Sequence, residues 1–176
     1  MTALAALTTE RLTLRPLRPA DAPALFAIYR EPAVARWIGP HTLQDVAAEI
    51  AQHVATQAAH GWSLLAVEDR ATGALLGDCG LQPFELRGPE VELGYDLAPA
   101  AWGRGLATEA ARAIMAQAFG PWGLDRVIAV VKPEHRASQR VLEKAGLTRA
   151  GERAAYREPR MLLYEARRRP LPRATA

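Results

Sequence analysis

Between Glu90 and Phe119 the sequence changes its hydrophobic period, and this change limits the fold more than any other feature of the 176 residues. Glu90-Val91-Glu92-Leu93-Gly94-Tyr95-Asp96-Leu97 alternates. Val91, Leu93, Tyr95 and Leu97 therefore share one face of a strand, and Glu90, Glu92, Gly94 and Asp96 share the other. From about Gly105 to Phe119, apolar Ala107, Ala110, Ala111, Ile114, Met115, Ala118 and Phe119 recur at helical spacing. The connecting loop contains Trp102-Gly103-Arg104-Gly105, whose glycines let backbone approach a ligand closely. The helix behind it offers unpaired N–H groups and the positive end of its dipole. Together they make an anion site suited to a diphosphate, with the Arg104 charge beside it. A tight turn without a ligand has the same local pattern. The loop is not a P-loop, since no Gly-Lys-Ser/Thr follows, and Ala107 departs from the dinucleotide glycine spacing.

The rest of the chain predicts alternating strands and helices. Arg11 to Arg15 alternates as a strand, and Asp21 can cap a helix over Ala22 to Arg30 that Glu31-Pro32 breaks. A loop through Ile38 to Thr42 leads to a helix over about Leu43 to Ala59, ended by His60-Gly61. Strands are predicted over Trp62 to Glu68 and Ala74 to Gln82, joined by a hairpin turn at Asp69 to Gly73. Arg126 to Val131 is a strongly apolar strand closed by Pro133. A helix over about His135 to Ala145 stops at Gly146. Weak strands near Leu147 to Arg153 and Met161 to Ala166 finish the body. The order implies one α/β three-layer domain over residues 1–176, with its body at about 9–166 and a basic tail at 167–176.

Composition excludes several classes. An apolar share of 49% and a charged share of 23% fit a globular domain that needs no staple. The single cysteine, Cys79, cannot close an internal disulfide, so a reducing, cytoplasmic setting is expected. The Ala-rich start lacks a signal peptide's basic region, and no apolar run is long enough to span a membrane. The net charge of +3 owes much to Arg167-Arg168-Arg169 and Arg173, read as a frayed, solvated end. No aromatic pattern accompanies it, so nucleic acid is not an expected partner. His41, His53 and His60 show no metal spacing and are placed at the surface; no metal is expected.

Four ordered blocks carry a resemblance: Glu10-Arg11-Leu12-Thr13-Leu14-Arg15-Pro16 with Asp21 and Arg36-Trp37-Ile38; Glu92-Leu93-Gly94-Tyr95; Trp102 to Glu109; and Ser138 to Gly146. With them the chain resembles the GCN5-related N-acetyltransferase (GNAT) superfamily, and within it the RimJ/RimL-like ribosomal-protein N-terminal acetyltransferases, over about Thr9 to Ala166. The resemblance implies a mixed, mostly antiparallel sheet of six or seven strands with helices on both faces. In it the fourth and fifth strands, ending at Leu97 and Val131, splay apart. It implies acetyl-CoA as cosubstrate, its pantetheine arm in the gap beside Tyr95 and Leu97. The diphosphate would lie on the amides of the loop Trp102, Gly103, Arg104, Gly105, Leu106, Ala107 and Thr108. His135 stands where the branch has asparagine and can still donate to the cofactor.

Amine acetylation needs a base, a polarised carbonyl and a proton for the leaving thiolate. Glu92 matches the carboxylate used as base in parts of the superfamily; a solvated strand face is its plain alternative. Many relatives place a tyrosine acid where this chain has Leu142; the ribosomal-protein branch instead carries a serine where Ser138 stands, and the resemblance makes Ser138 the candidate proton donor, with a first-turn residue satisfying backbone groups as its plain alternative. Backbone N–H near Gly94 or Tyr95 would polarise the carbonyl. The acceptor pocket is expected between the first helices, Trp37 to Thr42, and Pro83 to Gly88. The acceptor itself is left open between a protein N-terminal amine and a small molecule such as an aminoglycoside or polyamine. So is the choice between monomer and homodimer. A non-catalytic acyl-CoA-binding sensor is the reading from another class.

Overall fold

The computed structural model describes residues 6–168. Eight strands form one mixed sheet in the spatial order β1-β2-β3-β4-β5-β6-β8-β7. They are β1 Leu7–Thr8, β2 Leu12–Pro16, β3 Leu64–Asp69, β4 Leu75–Pro83, β5 Val91–Leu97, β6 Arg126–Val131, β7 Thr148–Ala155 and β8 Glu158–Arg167. The count exceeds six or seven because Leu7–Thr8 adds an edge strand; the two expected last strands, β7 and β8, form a long hairpin. The tail residues 169–176 lie outside the described residues. At its start, Arg168 is paired with Asp125 at 2.5 Å.

Every neighbouring pair is antiparallel except β5 and β6. These two are joined through helix α4 (Leu106–Phe119), the crossover that parallel strands require. They share one register pair, Glu92 with Ile128, and then part, so Leu93 to Leu97 leave one strand edge without a partner.

The other helices are α1 Ala22–Tyr29, α2 Pro32–Ile38, α3 Leu43–His60 and α5 Arg136–Lys144. Helix α2 was not expected. Pro32 does end the run from α1, but it also opens the next helix, because a first helical residue needs no N–H partner. Helix α3 begins in a Thr42–Asp45 capping box and ends at Gly61, whose φ of 78° favours glycine.

The two faces of the sheet are covered differently. On one, Leu65, Cys79, Leu81, Leu93 and Leu97 pack with Leu106, Ala110, Ile114 and Leu142 of α4 and α5. On the other, Leu64 and Ala66 pack under α1, α2 and α3 through Leu25, Ile28, Val34 and Ile50. A separate cluster of Phe84, Ile128, Ala155 and Met161 covers that face near β6 to β8. Strand β5 lies between these two clusters, and its Glu92, Gly94 and Asp96 point into the space between them.

Candidate active site

The α4–α5 face of the splay is built mostly from backbone. Gly103 (φ 71°) and Gly105 (φ 77°) take the left-handed conformation, and a Cβ on Gly103 would meet nothing within 4 Å. The glycines serve the turn's dihedrals, which put the first amides of α4 at the loop's mouth. The N-terminal strand fixes this loop from behind. Arg11 pairs with Glu109 at 2.7 Å and donates to the Arg104 carbonyl at 2.8 Å, while Thr9 Oγ1 donates to Glu109 at 2.6 Å. A cavity of about 420 Å³ opens beside it, lined by Arg11, Arg70 and Arg104 with Glu10 and Asp69. Trp102 donates its indole N–H to the Leu97 carbonyl at 2.7 Å, tying the loop to the end of β5.

Ser138 lies on the same face, in the first turn of α5. Its Oγ is 2.8 Å from the Tyr95 hydroxyl, which also lies 3.0 Å from the Ser138 carbonyl. The carbonyl can only accept, so Tyr95 can donate to it, whereas between the two hydroxyls either oxygen can be the donor. Sequence alternation assigned the Tyr95 side chain to the core. It is packed there, but its hydroxyl also backs Ser138, and burial holds its pKa well above 10. His135 caps α5: its Nδ1 accepts from the Ser138 N–H at 3.4 Å, so the ring proton is on Nε2. Burial, with Arg36 nearby, lowers its pKa and keeps it neutral.

The opposite face is built from side chains. Glu92 is 4% exposed, and burial pushes its pKa up to about 7 against the pull of hydrogen bonds from Tyr156, Gln82 and the Val130 amide. Gln82 Nε2 donates to Glu92 Oε2 at 3.2 Å, and the Tyr156 hydroxyl donates to the same oxygen. A solvated strand face is thereby excluded for Glu92. Its neighbour on that face, Glu90, is instead consumed by ion pairs with Arg126 (2.6 Å) and Arg153 (2.7 Å).

Farther along β5, Asp96 stands opposite Asp78 of β4. Burial raises both pKa values, that of Asp96 to about 6. The Tyr29 hydroxyl bonds Asp78, whose other oxygen has no partner. Glu49 and His41, 3.3 Å apart, complete this group. No sequence window contains these residues together, so no local pattern marks the acidic cluster that the pairing of β4 with β5 assembles. The histidines also differ from expectation: His53 is buried, with its pKa lowered to about 4, because α3 turns it toward the sheet. Among the described residues no group of three or more His, Cys, Asp or Glu side chains is placed to hold a metal.

Trp37, at the end of α2, stacks on His135 with ring centroids 3.9 Å apart and an interplanar angle of 16°. Helix α2 covers one face of the sheet and α5 the other, so the stack bridges the open end of the splay. Tyr156, in the turn between β7 and β8, is the site residue that sequence reading missed. Nothing local marks a tyrosine 64 residues after Glu92 as its partner.

The family model described as acetyltransferase (GNAT) domain matches residues 11–148. The uncharacterized N-acetyltransferase YoaA of Bacillus subtilis is 30% identical over 156 residues, covering 85% of this chain and 86% of that protein. The crystal structure of an acetyltransferase from Agrobacterium tumefaciens superposes with a TM-score of 0.82 at 32% identity, covering 94% of this chain and 96% of that one. Two more distant structures share the fold. One is the RimL ribosomal L7/L12 alpha-N-protein acetyltransferase with coenzyme A (TM-score 0.77, 13% identity, 93% and 98% covered). The other is the AAC(6')-Ib enzyme with paromomycin and acetyl-CoA (TM-score 0.75, 20% identity, 90% and 94% covered). The chain belongs to the GNAT acetyltransferase family, and its enzymatic class is that of the N-acetyltransferases.

Proposed function

We propose that the chain moves an acetyl group from acetyl-CoA directly to a primary amine, with both substrates bound at once on opposite faces of the splay. The observation that carries the reading is Glu92, a buried carboxyl poised at about 7 beside the point where β5 loses its partner strand. A base near neutrality can take a proton from an ammonium without being idle at working pH.

Acetyl-CoA supplies the acyl carbon, activated as a thioester. The residues fit it: amides from Gly103 to Thr108 and the Arg104 charge suit a diphosphate, and the free edge of β5 from Tyr95 to Leu97 suits an extended amide-bearing arm. His135, with its ring proton on Nε2, keeps a donor for the cofactor. The two fold neighbours found with coenzyme A or acetyl-CoA support this assignment. Glu92 accepts the proton from the acceptor nitrogen. Backbone N–H at Gly94 or Tyr95 steadies the charge on the carbonyl oxygen. Ser138, with Tyr95 behind it, donates to the departing sulfur. One proton is taken on the acceptor face and one is given on the cofactor face, so the sheet separates the base from the acid.

The acceptor is a primary amine of a protein N-terminus or of a small molecule. A thiol-release assay with acetyl-CoA over N-terminal peptides, diamines and aminoglycosides tests the reading, with release expected for at least one class. Coenzyme A binding without release from any amine would leave a non-catalytic acyl-CoA-binding module.

A further inference from the structure

Four non-glycine residues among those described have left-handed backbone: Glu85 (φ 50°), Leu86 (φ 59°), Tyr156 (φ 51°) and Arg157 (φ 64°). Such residues are rare and costly, and they persist only where the surroundings hold them. Here they fall in just two turns, one after β4 and one between β7 and β8, and the turns clasp each other. The Tyr156 N–H donates to Glu85 Oε1 at 2.8 Å, and the Glu85 N–H donates to the Tyr156 hydroxyl at 3.3 Å. Phe84 meets the Tyr156 ring edge-on at 5.8 Å. Positive φ at Tyr156 and Arg157 is what the two-residue hairpin turn between Ala155 and Glu158 calls for, and the clasp carries one contact to β5, the Tyr156 hydroxyl on Glu92.

That contact is directional. Tyr156 and Gln82 both donate to Oε2 of Glu92, so Oε1 is left without a side-chain donor. Tyr156 is 40% exposed, whereas Glu92 is 4% exposed. The Tyr156 hydroxyl is itself held in place, accepting from Gln82 Nε2 at 3.1 Å and from the Glu85 N–H at 3.3 Å.

We propose that Tyr156 is the positioning residue of the base: it holds Glu92 by Oε2 and turns Oε1 to the acceptor. This rests on Glu92 acting as the base. The other groups facing Glu92 do not replace the hydroxyl. Gln82 of β4 and the Val130 amide of β6 are neutral donors, and Glu85 is a like charge that opposes ionisation. The nearby cations are already paired, Arg126 and Arg153 with Glu90 and Lys132 with Glu158 at 2.9 Å.

Tyr156→Phe tests the proposal, because it keeps the ring against Phe84 and removes only the hydroxyl. Losing a donor to the charged form should move the Glu92 titration up by about one unit. At saturating acceptor, kcat should fall about fivefold at pH 7 and recover above pH 9, with the KM for acetyl-CoA unchanged. A ligand-free readout is the ¹³C carboxyl resonance of Glu92, assigned by its loss in Glu92→Gln. Its titration should shift in Tyr156→Phe. An unshifted resonance overturns the proposal, and so does a rate lowered by the same factor at every pH, the mark of a merely structural role. The base reading fails separately, if Glu92→Gln turns over at the wild-type rate.

Discussion

On the α4–α5 face of β5, the groups proposed to meet acetyl-CoA are mostly backbone amides and a strand edge, supplied by consecutive residues. On the α1–α3 face they are side chains brought from five separate segments: Glu92 and Asp96, Gln82 and Asp78, Tyr156, Glu49, and Tyr29. The first face is therefore insensitive to most side-chain changes and sensitive to backbone dihedrals. The second has the opposite character. A diphosphate and an extended arm offer the same acceptors to any chain, so backbone suffices for them, whereas an amine acceptor must be deprotonated and selected, which takes placed side chains.

If the division holds, damage on one face should not register on the other. The largest effect is expected from Glu92→Gln. Glutamine keeps the hydrogen-bonding shape but cannot take a proton, so kcat should fall by about 100-fold or more, within the usual range for a general base. Wild-type activity should rise with pH through about 7 as the carboxyl ionises, and this limb should vanish in the variant. Calorimetric affinity for coenzyme A should be unchanged. A parallel loss of coenzyme A affinity would break the comparison.

Gly105→Ala probes the other face. Alanine at φ 77° costs roughly 1–2 kcal/mol. A Cβ there would only touch the far end of Arg11, at 3.6 Å, so the cost is conformational rather than steric. The loop can relax by shifting the amides it presents. The Kd for coenzyme A should rise about tenfold, while the pH limb set by Glu92 stays in place.

The asymmetry between the faces also decides what can be read from the chain. The glycine loop, the α4 stripe, the strand ending at Val131 and the Gly61 and Gly146 stops are local patterns, and they fell where their spacing put them, within a residue or two. The alternation of β5 assigned both faces correctly. What local pattern could not carry was pairing between distant segments. Tyr156 has no signal pointing to Glu92, because its position depends on the β7–β8 hairpin folding back over β5. Asp78 and Asp96 look like ordinary strand polars until β4 and β5 pair in register. Pro32 failed for a different reason, since proline both ends and begins helices and only the packing of Val34 and Ile38 under α1 and α3 decides which.

Gly94→Ala sharpens the question of which face the acceptor uses. A Cβ at Gly94 would lie 3.7 Å from Leu64 and 3.9 Å from Gln82, ordinary contact, so folding should be untouched. The added methyl points into the gap between Glu92 and Asp96. The KM for the acceptor should rise by about threefold to tenfold, the worth of roughly 1 kcal/mol, with the coenzyme A Kd unchanged. An unchanged acceptor KM would mean that the amine approaches elsewhere.

The smallest expected effect concerns stability, and it separates the two carboxyl sites of the α1–α3 face. Glu92 is satisfied by three donors, but Asp96 faces a second buried carboxyl across the strand pair. Like charges directly opposite destabilise a sheet. Burial, with Glu49 nearby and against the pull of His41, raises the folded pKa of Asp96 from 3.8 to about 6, so the fold prefers the protonated form. The stability this provides is complete below about 3.8 and is lost as pH rises through about 6. Asp96→Asn mimics the protonated side chain and cannot lose a proton. It should raise Tm at pH 8 by about 3 °C, corresponding to roughly 1 kcal/mol, and leave Tm at pH 4 near that of the wild type. An equal change at both values would trace to packing, and Asp96 would then not be the carboxyl that bears the strain of the pair.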